Sequence, residues 1–487
     1  MAKWILEIPN FLGGYAPAYW KSSYPAYGNK NMAGDMKNVD LTYPDFITQG
    51  PGLATLTDGD ENGKVTTLIK GILDGGAPVE DITYTYAIGG NKLYTLTRSS
   101  VANSHTIDKA GVTGESGEDV AYYNGALYYS YNYSGGADVG KFDGSTYDDD
   151  FMSTVPTGGT TLQGGVPHPL LAAGDNRLYI GNKNYVSSYY ASDNTFTEKD
   201  LDLPTDFTIV DLKWANNRIY IAANEFWCSD DEFEFAQEGR GGSIFIWDGA
   251  SPSWEYEIKT TKITALFVKN GVVFVFRRDP DSTARYKLGY ISGTQIVDVA
   301  TFADRGPNYY QVAEYNNFII WASPKSGKIY AWGAVDKNLP TLLFQLADGG
   351  YSKVGGLASP FGTPIVASTD DTHYRLAKFS GYDTSCYWKS LLFDVTGDGR
   401  KSMIDKIVFN FEKLAEGARV DWILRNNSGV ALKTGTISYS GDGAVTQKIS
   451  YPKIKTENFR IELDWSNGST TNPLSIRSIK IYGHTIQ

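Results

Sequence analysis

One figure recurs along this chain and limits what it can fold into: an apolar strand, a tight turn of Asn, Asp or Gly, and a second strand rich in Leu, Ile, Val and Tyr. The clearest copies are Ala172–Ile180, turning at Asp175-Asn176, and Lys213–Ile221, turning at Asn216-Asn217. Two more turn at Asn270-Gly271 and Asn316-Asn317. Weaker copies centre on Gly90-Asn91 and Asn124-Gly125, and a degraded one on Phe361-Gly362. Asn, Asp and Gly tolerate positive φ, which a two-residue hairpin needs if its twist is to match its strands. The turns recur at a mean of about 45 residues, the length of a four-stranded propeller blade.

An all-β fold follows, with residues 65–380 forming a β-propeller of six or seven blades. After most hairpins a further strand ends in Gly, as in Ile244–Gly249, Gly289–Gly293 and Ile329–Gly333. Val65–Gly71 precedes the first hairpin and is expected to give an outer strand to the last blade, closing the ring. Residues 1–64 read differently. Phe11–Trp20 and Tyr24–Gly28 alternate aromatics with Pro and Gly and show no strand or helix period. Such an irregular arm makes no core of its own, and Phe11, Tyr15, Tyr19, Trp20, Tyr24 and Tyr27 are expected to anchor on another protein surface. The alternative is that the arm folds back over the propeller; one arm can do both. At Gly381 the period stops. Cys386–Asp394, Ile404–Phe411, Val420–Leu424, Thr434–Ile437, Phe459–Leu463 and Ile476–Tyr482 alternate apolar with polar residues, so residues 381–487 are expected to be a separate C-terminal β-sandwich.

Lys and Arg number 44 against 55 Asp and Glu, a net charge of −11. That balance disfavours a nucleic-acid-binding face, which needs a basic stripe. Two cysteines, Cys228 and Cys386, are too few for a disulfide framework and read as small apolar residues in a reduced chain. The start is broken by Glu7 and Pro9 before a signal-peptide core can form, and no apolar run is long enough to cross a bilayer. The expectation is a protein made and kept in a cytoplasm unless something other than a signal carries it out.

Little in the sequence carries chemistry. The four histidines (His105, His168, His373 and His484) are scattered, and no nucleophile elbow or phosphate loop occurs, so no enzyme and no resident cofactor is expected. Ser192-Asp193-Asn194-Thr195-Phe196 is a distant echo of the sialidase Asp-box turn and lacks its Gly. Calcium is the sharper possibility. Asp394 to Asp405 offers oxygens at Asp394, Thr396, Asp398 and Asp405 with Gly399 in sixth place, the spacing of an EF-hand-type loop. Thr in third place, Lys in eighth and strand-like flanks favour the other reading, an ordinary hairpin between two sandwich strands. Asp58–Gly63 opens a similar loop, but Ile69 in twelfth place leaves it an acidic turn.

The order of these parts resembles a known family. The aromatic arm, the Gln49-Gly50-Pro51-Gly52-Leu53 turn into the propeller, the Ser192-Asp193 and Ser229-Asp230 segments, Tyr387–Ser390 and Ile404–Ile407 are similar to tailed-bacteriophage virion proteins. More specifically they resemble the propeller-containing hub or nozzle proteins of the tail. The resemblance implies a virion protein assembled in the host cytoplasm and structural in role, with no catalytic residues. It implies a homo-oligomeric ring, often six-fold, beneath portal and adaptor proteins, with DNA passing through without sequence recognition. The alternative is a tail module that attaches to a host receptor or glycan; a propeller glycosidase is a third reading.

Overall fold

The computed structural model describes residues 3–15, 33–43, 45–73, 84–225, 241–280, 285–334, 342–349, 351–394, 400–440 and 446–486. Among them seven four-stranded antiparallel sheets follow one another, spanning 71–106, 116–148, 170–202, 207–260, 263–302, 312–348 and 353–382. Six of the sheets are plain meanders. The seventh takes its outermost strand, Pro51–Asp60, from the other end of the chain, with Leu53 opposite Phe379 and Ala54 opposite Lys378. First strands touch in cyclic order, from Gly71–Ile72 round to Lys353–Ala358 and back to Gly71–Ile72. The fold is a β-propeller.

The predicted turns are where the hairpins close. Asn124-Gly125, Asn216-Asn217, Asn270-Gly271 and Asn316-Asn317 all hold both central residues at positive φ, as a type I′ turn demands. Asp175-Asn176 sits in a longer loop between Leu170–Ala172 and Leu178–Asn182. In the first sheet Gly90-Asn91 joins the second and third strands instead of the first and second, so the repeat slips there by one strand.

Ring closure corrects one expectation. Val65–Gly71 is not the outer strand of the last sheet; Pro51–Asp60 is. Pro51 opens that strand, where its missing N–H costs no ladder bond. Residues 69–70 lie instead at the inner seam, where the Gly356 N–H donates to the Ile69 carbonyl at 2.9 Å. A Cβ on Gly356 would stand 2.2 Å from the Lys70 carbonyl, so glycine is what lets the last and first sheets meet.

The C-terminal residues form the expected sandwich, with all six strands near their predicted places, but the N-terminal segment completes it. Lys3–Ile8 is the edge of one five-stranded sheet, paired with Ile476–Thr485, and Ala33–Lys37 is the edge of the other, paired with Tyr387–Ser390. Residues 3–60 are therefore divided between sandwich and propeller, and where described they are largely strand. Sequence periodicity could not show this, because the strands are short and the partners of Lys3–Ile8, Ala33–Lys37 and Pro51–Asp60 lie hundreds of residues away.

One apolar cluster runs through both halves. Trp388, Trp422, Phe409 and Ile461 of the sandwich are continuous with Phe318, Ile320, Phe344 and Leu346 of the sixth propeller sheet, and Phe11, Val39 and Ile47 lie between them. A polar joint lies beside it. The Asn38 side-chain amide donates to Asp383 (2.7 Å) and its carbonyl accepts from Gln345 (3.2 Å), while Gln49 donates to the Asp383 and Ser469 carbonyls. Gly50 follows in the Gln49-Gly50-Pro51 turn; its N–H donates to the Asn38 carbonyl at 2.7 Å. No Cβ fits there, the nearest atoms being the Asn38 and Leu346 carbonyl oxygens at 2.5 Å.

Candidate functional site at the propeller axis

The first strands converge on a cavity of about 470 Å³ whose lining includes Asp119, Lys213, Phe267, Tyr309, Tyr310 and Leu357. The volume is in the range of a small-molecule pocket. Asp119, and the Asp211 that holds Lys213, are placed by bulges. The ladder slips between Gly117 and Asp119 and between Ile209 and Asp211, and each slip redirects an aspartate.

Both aspartates tie one sheet to the next. Asp119 Oδ1 accepts the Val120 N–H at 2.8 Å and Oδ2 accepts the Leu170 N–H of the following sheet at 2.9 Å. Asp211 repeats this two sheets on: Oδ1 accepts from the Leu212 N–H and Lys213 Nζ, both at 2.8 Å, and Oδ2 from the Leu266 N–H at 2.7 Å. Across the axis the Tyr309 hydroxyl donates to the Glu118 carbonyl at 3.2 Å. Burial pushes the Asp119 carboxyl up to about 7, against the pull of its backbone donors and Lys213. It also raises Asp211, and raises Tyr309 well above its ordinary value.

A carboxyl poised near neutrality beside a cavity is the kind of group that general acid–base catalysis recruits. Here, however, every carboxylate oxygen of the pair already accepts a hydrogen bond from its own chain. The arrangement fastens neighbouring sheets, and the cavity between them offers aromatic faces and one lysine.

The structure disperses the residues singled out from sequence. Phe11 is no free anchor: it is buried, its ring edge-on to Trp388 at 5.0 Å. Covering its own chain gains more for Phe11 than exposure would, since it buries its ring against Trp388 in the shared core. Tyr15 is half-buried, bridged to Ala33, with its N–H donating to the Leu343 carbonyl. Tyr19, Trp20, Tyr24 and Tyr27 lie outside the described residues, as do Thr396 and Asp398 of the candidate calcium loop. Asp405 points its Oδ2 at His484 Nδ1, 2.7 Å away, so part of its oxygen set is engaged within the sandwich sheet.

The histidines occupy four separate environments. His105 stacks on Tyr147 at 3.8 Å with Nε2 3.0 Å from Asp149. His168 is buried, donating Nδ1–H to the Gly181 carbonyl, and desolvation lowers it to about 4. His373 is raised by Asp370 beside it. Cys386 is buried and its thiol is pushed up to about 12; Cys228 and the Ser229-Asp230 segment fall outside the described residues. Ser192-Asp193 is a plain turn in which Thr195 Oγ1 donates to Asp193 at 2.5 Å. Asp60 likewise closes a local turn onto the Asn62 and Gly63 N–H groups.

Asp119, Asp211 and Tyr309 went unnoticed in the sequence. The available signal was an aspartate set inside an apolar alternation, as in Ile209-Val210-Asp211-Leu212.

A second cavity, about 690 Å³, lies where propeller and sandwich meet, and its lining includes Lys37, Asp348, Arg375, Tyr382, Asp383 and Thr470. Arg375 stands 4.8 Å from the Tyr351 ring centre, donates to the Gly349 carbonyl, and keeps a buried Nε without a partner.

No family model and no curated protein matches the chain. Solved structures do match in fold. The Mitotic Checkpoint Complex gives a TM-score of 0.45 at 12% identity, covering 71% of this chain and 95% of the other. The WD40 propeller domain of Doa1 gives 0.43 at 11%, covering 68% and 96%. The PQQ-bound aldose sugar dehydrogenase from Streptomyces coelicolor gives 0.39 at 11%, covering 67% and 98%. At such identities the likeness is one of fold.

Proposed function

We propose that this chain is a structural component of a bacteriophage tail, of the hub or nozzle kind, working through protein–protein contacts and without catalysis. The supporting observation is the core shared by propeller and sandwich, with the Asn38–Gln49–Asp383–Gln345 joint beside it. A fused body of this sort suits a part that holds its neighbours in fixed register. The axial aspartates, bound to their own backbone, suit the same role better than turnover. In this reading copies form a ring, six-fold by resemblance, against adaptor and portal proteins in the virion. DNA passes through the lumen between copies, because the cavity inside each propeller is far too small for a duplex. Locating the chain in intact particles by electron cryomicroscopy tests the proposal: a ring of copies on the tail axis is expected, and particles lacking the chain would overturn it.

The groove between the halves favours a second reading, a glycan-binding attachment module. Tyr382 offers a face for stacking, and Lys37 and Arg375 offer donors for hydroxyls. Retention on host surface polysaccharide, lost in Tyr382→Ala, would support it over the first.

A further inference from the structure

We infer that the outer face of one sandwich sheet is the surface on which a second copy of this chain seats its acidic propeller. The register defines that face. Ile5 lies opposite Tyr482, which lies opposite Lys406; Glu7 lies opposite Lys480, then Val408, then Ile449. A third row runs Lys3, His484, Met403, Lys455. Cross-strand partners share a face, while the alternate residues Leu6, Ile8, Ile479 and Ile481 point into the core.

Two properties set the face apart. It exposes apolar groups that a solvated sheet face would replace by polar ones: Ile5 is 61% exposed and Ile449 39%, with Tyr451 just beyond the strand at 65%. It is also basic. Lys3, Lys406 and Lys455 meet no carboxylate among the described residues, Lys406 lying over the Tyr482 ring at 4.8 Å; Lys480 is held by Glu7 at 2.9 Å.

The occupant follows from charge. Residues 381–487 carry 14 Lys and Arg against 11 Asp and Glu, whereas residues 51–380, from the first propeller strand onward, carry 26 against 40. A chain with an acidic propeller and a basic sandwich face is complementary to another copy of itself in head-to-tail order, the arrangement that forms a ring where its rotation closes. The inference rests on the ring reading above and deepens it by naming one of the two surfaces.

The test uses the purified full-length chain, mixed from two isotope-labelled pools and treated with a zero-length carboxyl-to-amine cross-linker at low salt. Intermolecular links are expected from Lys406, Lys455 or Lys3 to Asp or Glu within residues 1–380. Sedimentation should show self-association weakened at least tenfold between about 50 and 300 mM salt. Ile449→Glu with Lys455→Glu should weaken it similarly while leaving the melting temperature unchanged, since both side chains are exposed. A monomer at every concentration in low salt, links confined to other lysines, or unaltered association of the double variant would overturn the inference. Such results leave the tail location standing; absence of the chain from particles would overturn that reading and leave a measured self-association intact.

Discussion

At the scale of single residues the propeller holds two buried groups whose titrations oppose one another. Asp119 keeps its proton to about pH 7 in the fold, whereas in the unfolded chain it would lose it near 3.8. The native state thus binds more protons, and this group makes stability fall as pH rises from about 4 to 7. His168, lowered from 6.5 to about 4 by burial, does the reverse: the unfolded chain binds the extra proton, so stability falls as pH drops from 6.5 towards 4. Each slope is at most about 1.4 kcal/mol per pH unit. In Asp119→Asn the His168 term stands without its opponent. Urea midpoints of that variant should rise between pH 4.5 and 6.5 more steeply than those of the parent; parallel profiles would refute the assignment. Asp119→Ala goes further, leaving the Leu170 N–H unpaired between two sheets, and should cost about 1–3 kcal/mol at pH 7 by the same measurement.

At the scale of elements, local chemistry was legible and long-range pairing was not. Asn216-Asn217 and Asn316-Asn317 announced their turns because positive φ is demanded by two adjacent residues and supplied by a few residue types. The sandwich strands announced themselves by alternation. Pro51–Asp60 did not: what makes it the closing strand is Tyr374–Tyr382, more than 300 residues away, and nothing within ten residues of Leu53 encodes that partner. Phe11 misled for the same reason, since an aromatic beside Gly and Pro looks exposed until Trp388 arrives to cover it. The site divided likewise. Ser192-Asp193 forms a turn whose bonds are local, within reach of sequence reading, while Asp119 and Asp211 gain their meaning from backbone donors in the next sheet. The Gln49-Gly50-Pro51 phrase now has a steric reason. Gly50→Ala would place a methyl 2.5 Å from two carbonyl oxygens at the joint and should destabilise by about 1–3 kcal/mol in equilibrium unfolding. Ala at Gly125, whose Cβ would meet nothing within 4 Å although φ is +80°, should cost less.

At the scale of the whole molecule, the shared core makes propeller and sandwich thermodynamically one object. Lys3–Ile8 and Ala33–Lys37 close the two sandwich sheets, yet the chain that joins them to the rest crosses the propeller through Asn38, Gln49 and the strand Pro51–Asp60. Loss of either half therefore strips edges and core from the other. Trp388 is the residue on which this turns: fully buried, it faces Phe11 from the N-terminal segment, and its strand is sandwiched between Ala33–Lys37 and Arg460–Asp464. Trp388→Ala should cost about 3–5 kcal/mol. Its effect should reach the propeller, shifting a single calorimetric transition of the full chain downward without splitting it. A fragment of residues 381–487 alone would lack both edge strands and expose the apolar row of Phe344 and Leu346's partners, so it should show no cooperative melt. Two resolved transitions in the parent, with only one displaced by Trp388→Ala, would mean that the halves fold independently and that the contact between them is merely a docking surface.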